Sequence, residues 1–403
     1  MNELLWIGSY LNDDMAAEIR GLGYGNLAAF LSQKRILEGM ENVSGKTFDT
    51  IGVLSADGYP KGKELYCRKR TFSHADGASD TLAGFLNIRY LNKVFMGASL
   101  SKEVRKQLKS RRTETFDVFI YEMRSACLKA AKAVKEMCPS ARIHLIVPDL
   151  PQFMDLNANR TKRALKALDW NCIRRNMRYV DDYILYAAPM AEYLGLKDGS
   201  WMVMEGSINQ DIADRGCLSP ESRQDDKHIV MYSGSIKRGF GIQQLLDVMR
   251  LLDDSYELWF TGGGDYADVV KSYAEHDRRI KYYGILPTTA DLIKLQMQAD
   301  MLVNMRSPDE PASSYCFPSK LFEYMASGTP VISCRLGGIP DEYFNYLIEI
   351  PELTAASIAQ TIRKVAGMPV PERRELGEES RDFILARKNK NVQAQRIIDF
   401  VER

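Results

Sequence analysis

The sequence has little of what metal and disulfide chemistry require. Its seven cysteines (Cys67, Cys127, Cys138, Cys172, Cys217, Cys316 and Cys334) are odd in number and scattered, and include no C-x-x-C pair, which points to reduced thiols and a cytoplasmic setting. The four histidines, His74, His144, His228 and His276, lie far apart and none stands at ligand spacing from a cysteine, so no zinc is expected. There is no D-x-D pair of the kind that holds a divalent ion, and neither metal nor cofactor is expected. A formal net charge of +1 lacks the basic excess that phosphate-backbone binding requires, which argues against a nucleic-acid partner. No uninterrupted apolar run is long enough to span a membrane, and Leu4-Leu5-Trp6-Ile7-Gly8 reads as a strand rather than a signal peptide. Internal repeats and low-complexity tracts are absent.

What is present is an ordinary globular composition, 45% apolar and 27% charged, in 403 residues: enough for two domains, each with its own core. Short apolar runs alternate with helical patterns, the signature of parallel strands covered on both faces. In the first half the strands fall at Leu4 to Gly8, Thr50 to Leu54, Phe116 to Tyr121, Ala141 to Val147, Tyr183 to Tyr186 and Trp201 to Glu205. Helices are expected from about Asn26, from Thr81 to Ser110, through Lys135 and over Lys162 to Arg178. A polar stretch with Gly and Pro marks a linker at 207–226, between a first domain at 1–206 and a second at 227–385. The second series runs through strands at Ile229 to Tyr232, Tyr256 to Phe260, Ile280 to Gly284, Met301 to Met305, Val331 to Cys334 and Leu347 to Ile350, and 386–403 closes the chain as a helix. The fold class is α/β, two Rossmann-like doubly wound domains, with ligands expected beyond the carboxyl ends of the strands.

One stretch, Ser313 to Ile332 (SSYCFPSKLFEYMASGTPVI), carries a charge that its surroundings do not explain. Leu321, Phe322, Met325 and Ala326 form an apolar helical face, Gly328 stops the helix and a strand follows. Glu323 sits within that apolar set, where a carboxylate needs donors: either Lys320 one turn earlier, or a bound polyol. Ahead of it, Phe317-Pro318-Ser319 leaves free N–H groups at a helix start, which favours an anion such as a diphosphate.

This segment resembles the donor-site signature of glycosyltransferase family 4, retaining GT-B enzymes that use nucleotide sugars. Glu323 falls on the second glutamate of that family's pattern, followed by Tyr-Met-Ala-Ser-Gly-Thr-Pro-Val-Ile; Tyr315 stands where the first glutamate is expected, and Glu310, in a Pro-rich loop, is the candidate substitute. The resemblance implies a GT-B fold with the two domains facing a central cleft and the last helix returning to the first domain. It also implies metal-free transfer of a hexose, with retention, to a hydroxyl of a glycan or lipid-linked acceptor. The expected setting is bacterial cell-surface polysaccharide synthesis, cytoplasmic or peripheral at the inner membrane face.

Other segments add candidates. In Tyr232-Ser233-Gly234-Ser235-Ile236-Lys237-Arg238, Gly234 and Ser235 with Lys237 or Arg238 meet the need for cations and N–H donors at a departing diphosphate, as Ser319 and Lys320 do. Thr261-Gly262-Gly263-Gly264-Asp265-Tyr266-Ala267 matches G-x-G-x-x-A, but the acidic residue of a nicotinamide site is missing; in the family these strand ends, Gly263 among them, frame the nucleotide, with Gly284, Ile285 and Leu286 offering backbone groups to the base. Asp149, in Val147-Pro148-Asp149-Leu150-Pro151, is either a turn cap or the carboxylate that orients the acceptor. Gly23 and Gly25 form a turn or a loop lining the cleft. The basic tract Arg89 to Arg112 is either a solvated surface helix or a contact for an anionic membrane. Two other functions fit the same features: a GT-B-like sugar-nucleotide epimerase, and an inactive nucleotide-sugar-binding partner subunit, which the tyrosine at 315 favours.

Overall fold

The computed structural model describes residues 3–16, 27–111, 115–153, 160–208 and 227–403. Gly23, Gly25, Arg112 and most of the expected linker lie outside the described residues. The chain divides into two compact units: Met1–Tyr186 with Met190–Gly206 and Lys390–Arg403, and Ala187–Pro189 with Ser207–Asn389.

Unit 1 is built on an eight-stranded sheet of β1 (Glu3–Gly8), β2 (Asp49–Gly52), β4 (Arg70–Phe72), β5 (Asp80–Leu82), β7 (Phe116–Tyr121), β8 (Arg142–Val147), β9 (Asp182–Leu185) and β10 (Trp201–Val203). Their order is β10-β9-β8-β7-β1-β2-β5-β4, parallel throughout except for the β4–β5 pair. A separate two-stranded ribbon joins β3 (Tyr66–Cys67) to β6 (Phe85–Leu86). Continuous burial of β7 and nearly all of β1 is what strands covered on both faces require. Trp6, Phe48 and Phe119 are wholly buried together, each adding on the order of 2 kcal/mol. Helix α1 (Leu27–Ser44) meets the C-terminal helix Lys390–Val401, whose Ala394, Ile397 and Ile398 share its core. Gly39 permits that contact, since a Cβ there would lie 2.5 Å from the Lys390 carbonyl oxygen.

The long helix expected from Thr81 is shorter, and α2 runs Asn92–Ser110. Residues before it pair instead: Asp80 is buried in β5, accepting the Thr50 N–H (3.1 Å) and the His74 N–H (2.8 Å), and a Cβ on Gly84 would lie 2.6 Å from the Lys69 nitrogen. A buried carboxylate and a glycine pressed on backbone override helical periodicity. Helices α3 (Ser125–Met137) and α4 (Arg160–Asn176) complete that side of the unit.

Unit 2 has a wholly parallel six-stranded sheet: β11 (His228–Ser233), β12 (Tyr256–Thr261), β13 (Ile280–Tyr282), β14 (Met301–Asn304), β15 (Val331–Cys334) and β16 (Leu347–Ile350), ordered β13-β12-β11-β14-β15-β16. The chain winds outward from β11 through β12 and β13, then crosses to β14 on the other flank. That reversal opens a crevice beyond the carboxyl ends of β11 and β14, and in unit 1 the same reversal falls between β1 and β7. Helices α5 (Ile242–Val248), α6 (Ala267–His276), α7 (Thr289–Met297), α8 (Lys320–Ala326), α9 (Ala355–Ala366) and α10 (Val370–Arg387) complete unit 2.

Candidate functional site

At the carboxyl edge of the second sheet the loops after β11 and β12 are pressed backbone to backbone. A Cβ on Gly262 (φ 126°) would lie 1.9 Å from the Gly234 carbonyl oxygen, and one on Gly264 (φ 155°) 2.1 Å from that of Ile236. The Gly234 N–H donates to the Thr261 carbonyl (3.0 Å) and the Ile236 N–H to that of Gly263 (2.9 Å). The glycine run is therefore required for loop packing, and these two N–H groups are already used. The Gly284 carbonyl accepts from the Gly262 N–H and the Thr261 hydroxyl, both at 2.7 Å, and next to it Ile285 is 79% exposed beside Gly263. Such a fixed strand end with a projecting apolar side chain offers a platform to a flat ring.

Helix α8 enters this edge from the β14–β15 crossover. Its Leu321, Phe322, Tyr324, Met325 and Ala326 are buried. Tyr324 clamps the end of β11, its hydroxyl accepting the Ser233 N–H and donating to the Ser233 carbonyl, both at 2.7 Å. Glu323 is half-buried rather than enclosed by the apolar set as the sequence suggests, because with Lys320 and the exposed Ser319 it forms the strip that the core leaves uncovered. The alternative Glu323–Lys320 ion pair is not formed: among the described residues Lys320 makes no hydrogen bond or ion pair. Its ammonium instead lies 3.9 Å from the Tyr232 ring centroid and 5.7 Å from that of Tyr324. Burial, and then the nearby Arg306 guanidinium, push the Lys320 ammonium down to about 7.

Arg306 was not anticipated from the sequence. It follows β14, its guanidinium is 5.2 Å from the Phe240 ring centroid, and its Nε is buried without a hydrogen bond. Its position just past a strand beside the sheet reversal was the available signal. Two cations near one another at this edge, neither in an ion pair among the described residues, form a place for an anion carrying more than one charge. Lys237 and Arg238 are exposed, and Arg238 is turned away, its guanidinium 5.4 Å from the Tyr266 ring and its N–H donating to Asp265 (3.1 Å). Glu310 does reach this edge: a Cβ on Gly239 (φ 90°) would lie 2.3 Å from its Oε1, so the carboxylate rests against the loop that begins at Gly234. Ser235 is exposed in that loop, and Leu286 is half-exposed after Ile285. Arg335, by contrast, is taken up by Glu349 (2.9 Å) and Asp341 (2.6 Å).

In unit 1, Asp149 is exposed after β8, and its charge raises the buried Tyr186 hydroxyl, which burial chiefly holds up at about 12. A polar group missed by sequence reading lies at the β1–β7 reversal. Arg124 Nε is 2.8 Å from Glu122 Oε2, Arg124 Nη2 donates to the Ser9 hydroxyl (2.6 Å), and that hydroxyl donates to the Val53 carbonyl (2.8 Å). Glu122 has φ 74°, a left-handed backbone for a side chain other than glycine, of the sort retained at functional strand ends. Nothing in the composition of Tyr121-Glu122-Met123 announces it.

Residues 227–367 match the family model described as Glycosyl transferases group 1. The chain as a whole has the GT-B fold. It aligns over 99% of its length with 99% of Anabaena Alr3699/HepE in complex with UDP, at 13% identity and a TM-score of 0.66. The lipopolysaccharide outer core galactosyltransferase WaaB in its apo form gives 0.64 at 14% identity, over 99% of each chain. Trehalose-6-phosphate synthase OtsA gives 0.65 at 11% identity, over 100% of this chain and 99% of that one. At such identities the likeness speaks for the fold. Among curated protein sequences there is no match.

Proposed function

We propose that the protein is a retaining, metal-independent glycosyltransferase, moving a hexose from a nucleoside diphosphate sugar to a hydroxyl of a glycan or lipid-linked acceptor in cell-surface polysaccharide synthesis. The observation that carries this reading is the pair of uncompensated cations, Lys320 and Arg306, at the reversal of the second sheet. Departure of the diphosphate develops negative charge on its β-phosphate, and cations with no carboxylate partner stabilise that charge without first having to break an ion pair.

The neighbours support the same arrangement. Glu323, one helical turn from Lys320, accepts from a ribose diol; Gly284, Ile285 and Leu286 border the base; Gly234, Ser235, Gly263 and Ser319 line the phosphates, with Lys237 and Arg238 at the rim. Glu310 touches the donor sugar and Asp149 the acceptor. Donor chemistry of this kind is consistent with the similar HepE fold, solved with UDP and with UDP and glucose, and retention with a similar trehalose-6-phosphate synthase structure concerned with enzymatic glycosyl transfer with retention. Tyr315, standing in place of the first glutamate, favours a second reading as an inactive partner subunit.

Calorimetric titration with UDP, GDP and ADP tests the donor site and selects the base. One nucleotide is expected to bind and to be weakened in Glu323→Ala. Turnover of the matching nucleotide sugar, lost in Glu310→Ala, separates the transferase from the inactive partner.

A further inference from the structure

Unit 1 carries a cavity that has no part in the transfer reaction as proposed. It measures about 350 Å³ and is lined by Lys132 of α3, by Leu168, Cys172 and Arg175 of α4, and by Arg178 of the turn Met177–Tyr179 that follows. That volume is at the lower end of the range for small-molecule sites. Because α4 ends ahead of β9 in a parallel sheet, Arg175 and Arg178 mark the amino edge of the strands, the end opposite the β1–β7 reversal.

Three cations meet in this cavity, and the carboxylates near them in the chain are held by others. Asp169 pairs with Lys93 (2.7 Å), Asp181 with Lys135 (2.8 Å) and Glu136 with Arg105 (2.7 Å), which leaves Lys132 a longer contact to Glu136 of 3.5 Å. Among the described residues Arg175 and Arg178 form no ion pair, and Arg178 donates only to the Tyr179 hydroxyl (2.8 Å). The C-terminal end of α4 accounts for part of this, but its dipole supplies only about half a negative charge against three positive ones. On the same wall Leu168 stays 65% exposed. The buried Asn176 donates to the Cys172 carbonyl (2.7 Å) and lies 3.7 Å from its sulfur, which fixes the last turn that carries Arg175.

We infer that this cavity binds a small organic phosphate, its phosphoryl group held by Arg175 and Arg178 with Lys132 alongside, and its ring or chain laid over Leu168. A guanidinium meets phosphate oxygens with two parallel N–H donors, and here it does so without first leaving a carboxylate. A single large apolar side chain among the cations suits a ligand with a short apolar part, whereas an inorganic ion would leave Leu168 uncovered.

The half-buried Cys172 serves as a reporter. Its alkylation by iodoacetamide on the whole chain, mapped by peptide mass spectrometry, is followed with phenyl phosphate, inorganic phosphate or uncharged benzyl alcohol at matched ionic strength. Phenyl phosphate is expected to slow the reaction saturably, inorganic phosphate to do so only at several-fold higher concentration, and benzyl alcohol not at all. The half-saturating concentration of phenyl phosphate should rise about fivefold in each of Arg175→Gln and Arg178→Gln. Leu168→Ser should remove the advantage of phenyl phosphate over the inorganic ion. All three positions are exposed, so the Tm of each variant is expected to stay unchanged, which separates lost binding from unfolding. No protection by either phosphate, protection retained in both arginine variants, or an advantage that survives Leu168→Ser overturns the inference. Lys320→Met should leave the protection intact; its loss there would mean that the phosphate acts from the donor site, and would overturn the inference as well. The assay contains no nucleotide, so its outcome is separate from that of the nucleotide titration.

Discussion

Buried charge is treated in opposite ways by the histidines of unit 1 and by the sheet reversal of unit 2. In unit 1, His144 is wholly buried between Asp182 (2.9 Å) and Asp117 (3.4 Å), and His74 lies between Asp80 (2.7 Å) and Glu41 (3.0 Å). Although burial opposes the charge on each, the carboxylates outweigh it and raise His74 to about 9, with His144 raised likewise. At the unit 2 reversal no carboxylate among the described residues answers Lys320, and burial wins. Charge compensated on both sides is a structural clamp, whereas charge left uncompensated at a sheet reversal is prepared for something the chain itself does not supply.

The sharpest way to break this contrast is at His144. His144→Ala leaves Asp117 and Asp182 without the imidazole between them and is expected to cost about 3–5 kcal/mol in urea unfolding. Lys320→Met should leave the unliganded protein as stable as before or more so, because no partner is orphaned. Yet it is expected to weaken nucleotide binding by about 2–3 kcal/mol, the loss of a charge-assisted contact. Equal destabilisation by both changes would erase the distinction.

Acidity sharpens it with opposite slopes. The folded pKa of His74, about 9, lies above its ordinary 6.5, so its contribution is fully present below 6.5 and is lost as pH rises through about 9. Lys320 lies at about 7 against an ordinary 10.5, so the unfolded chain binds the extra proton between these values and unit 2 gains stability as pH rises across that window. Chemical unfolding of native protein, His74→Phe and Lys320→Met between pH 6 and 10 should resolve the two trends, with each variant removing its own. The smallest effect expected is at Glu122. Glu122→Gly relieves a left-handed backbone but removes the partner of Arg124, so the two effects should offset to a change of less than about 1 kcal/mol in either direction, while turnover falls if the carboxylate at the first reversal orients the acceptor.

Much of this architecture was legible in the sequence, because strands covered on both faces appear as continuous apolar runs; the second sheet follows them strand for strand. The first half was harder to read. Thr81 begins an apolar pattern that periodicity alone assigns to a helix, and only the tertiary partners of Asp80 and Gly84 make it a strand and a turn. The site was legible as a location and less so as a set of charges. Lys320 was recognisable from its motif, but its missing partner was not, since ion pairing is decided by residues distant in the chain. Arg306 escaped for the same reason, and Glu323 looked more buried than it is because a two-turn helix leaves one strip open.

The most direct measurement is calorimetric titration of the preferred nucleoside diphosphate across pH 6 to 9, on the native protein and on Lys320→Met. If uncompensated cations hold the diphosphate, affinity in the native protein falls as pH rises through about 7, binding takes up protons, and both the pH dependence and most of the affinity vanish in the variant. Native-like, pH-independent binding by Lys320→Met, or no binding of any nucleotide by the folded native protein, would contradict the account.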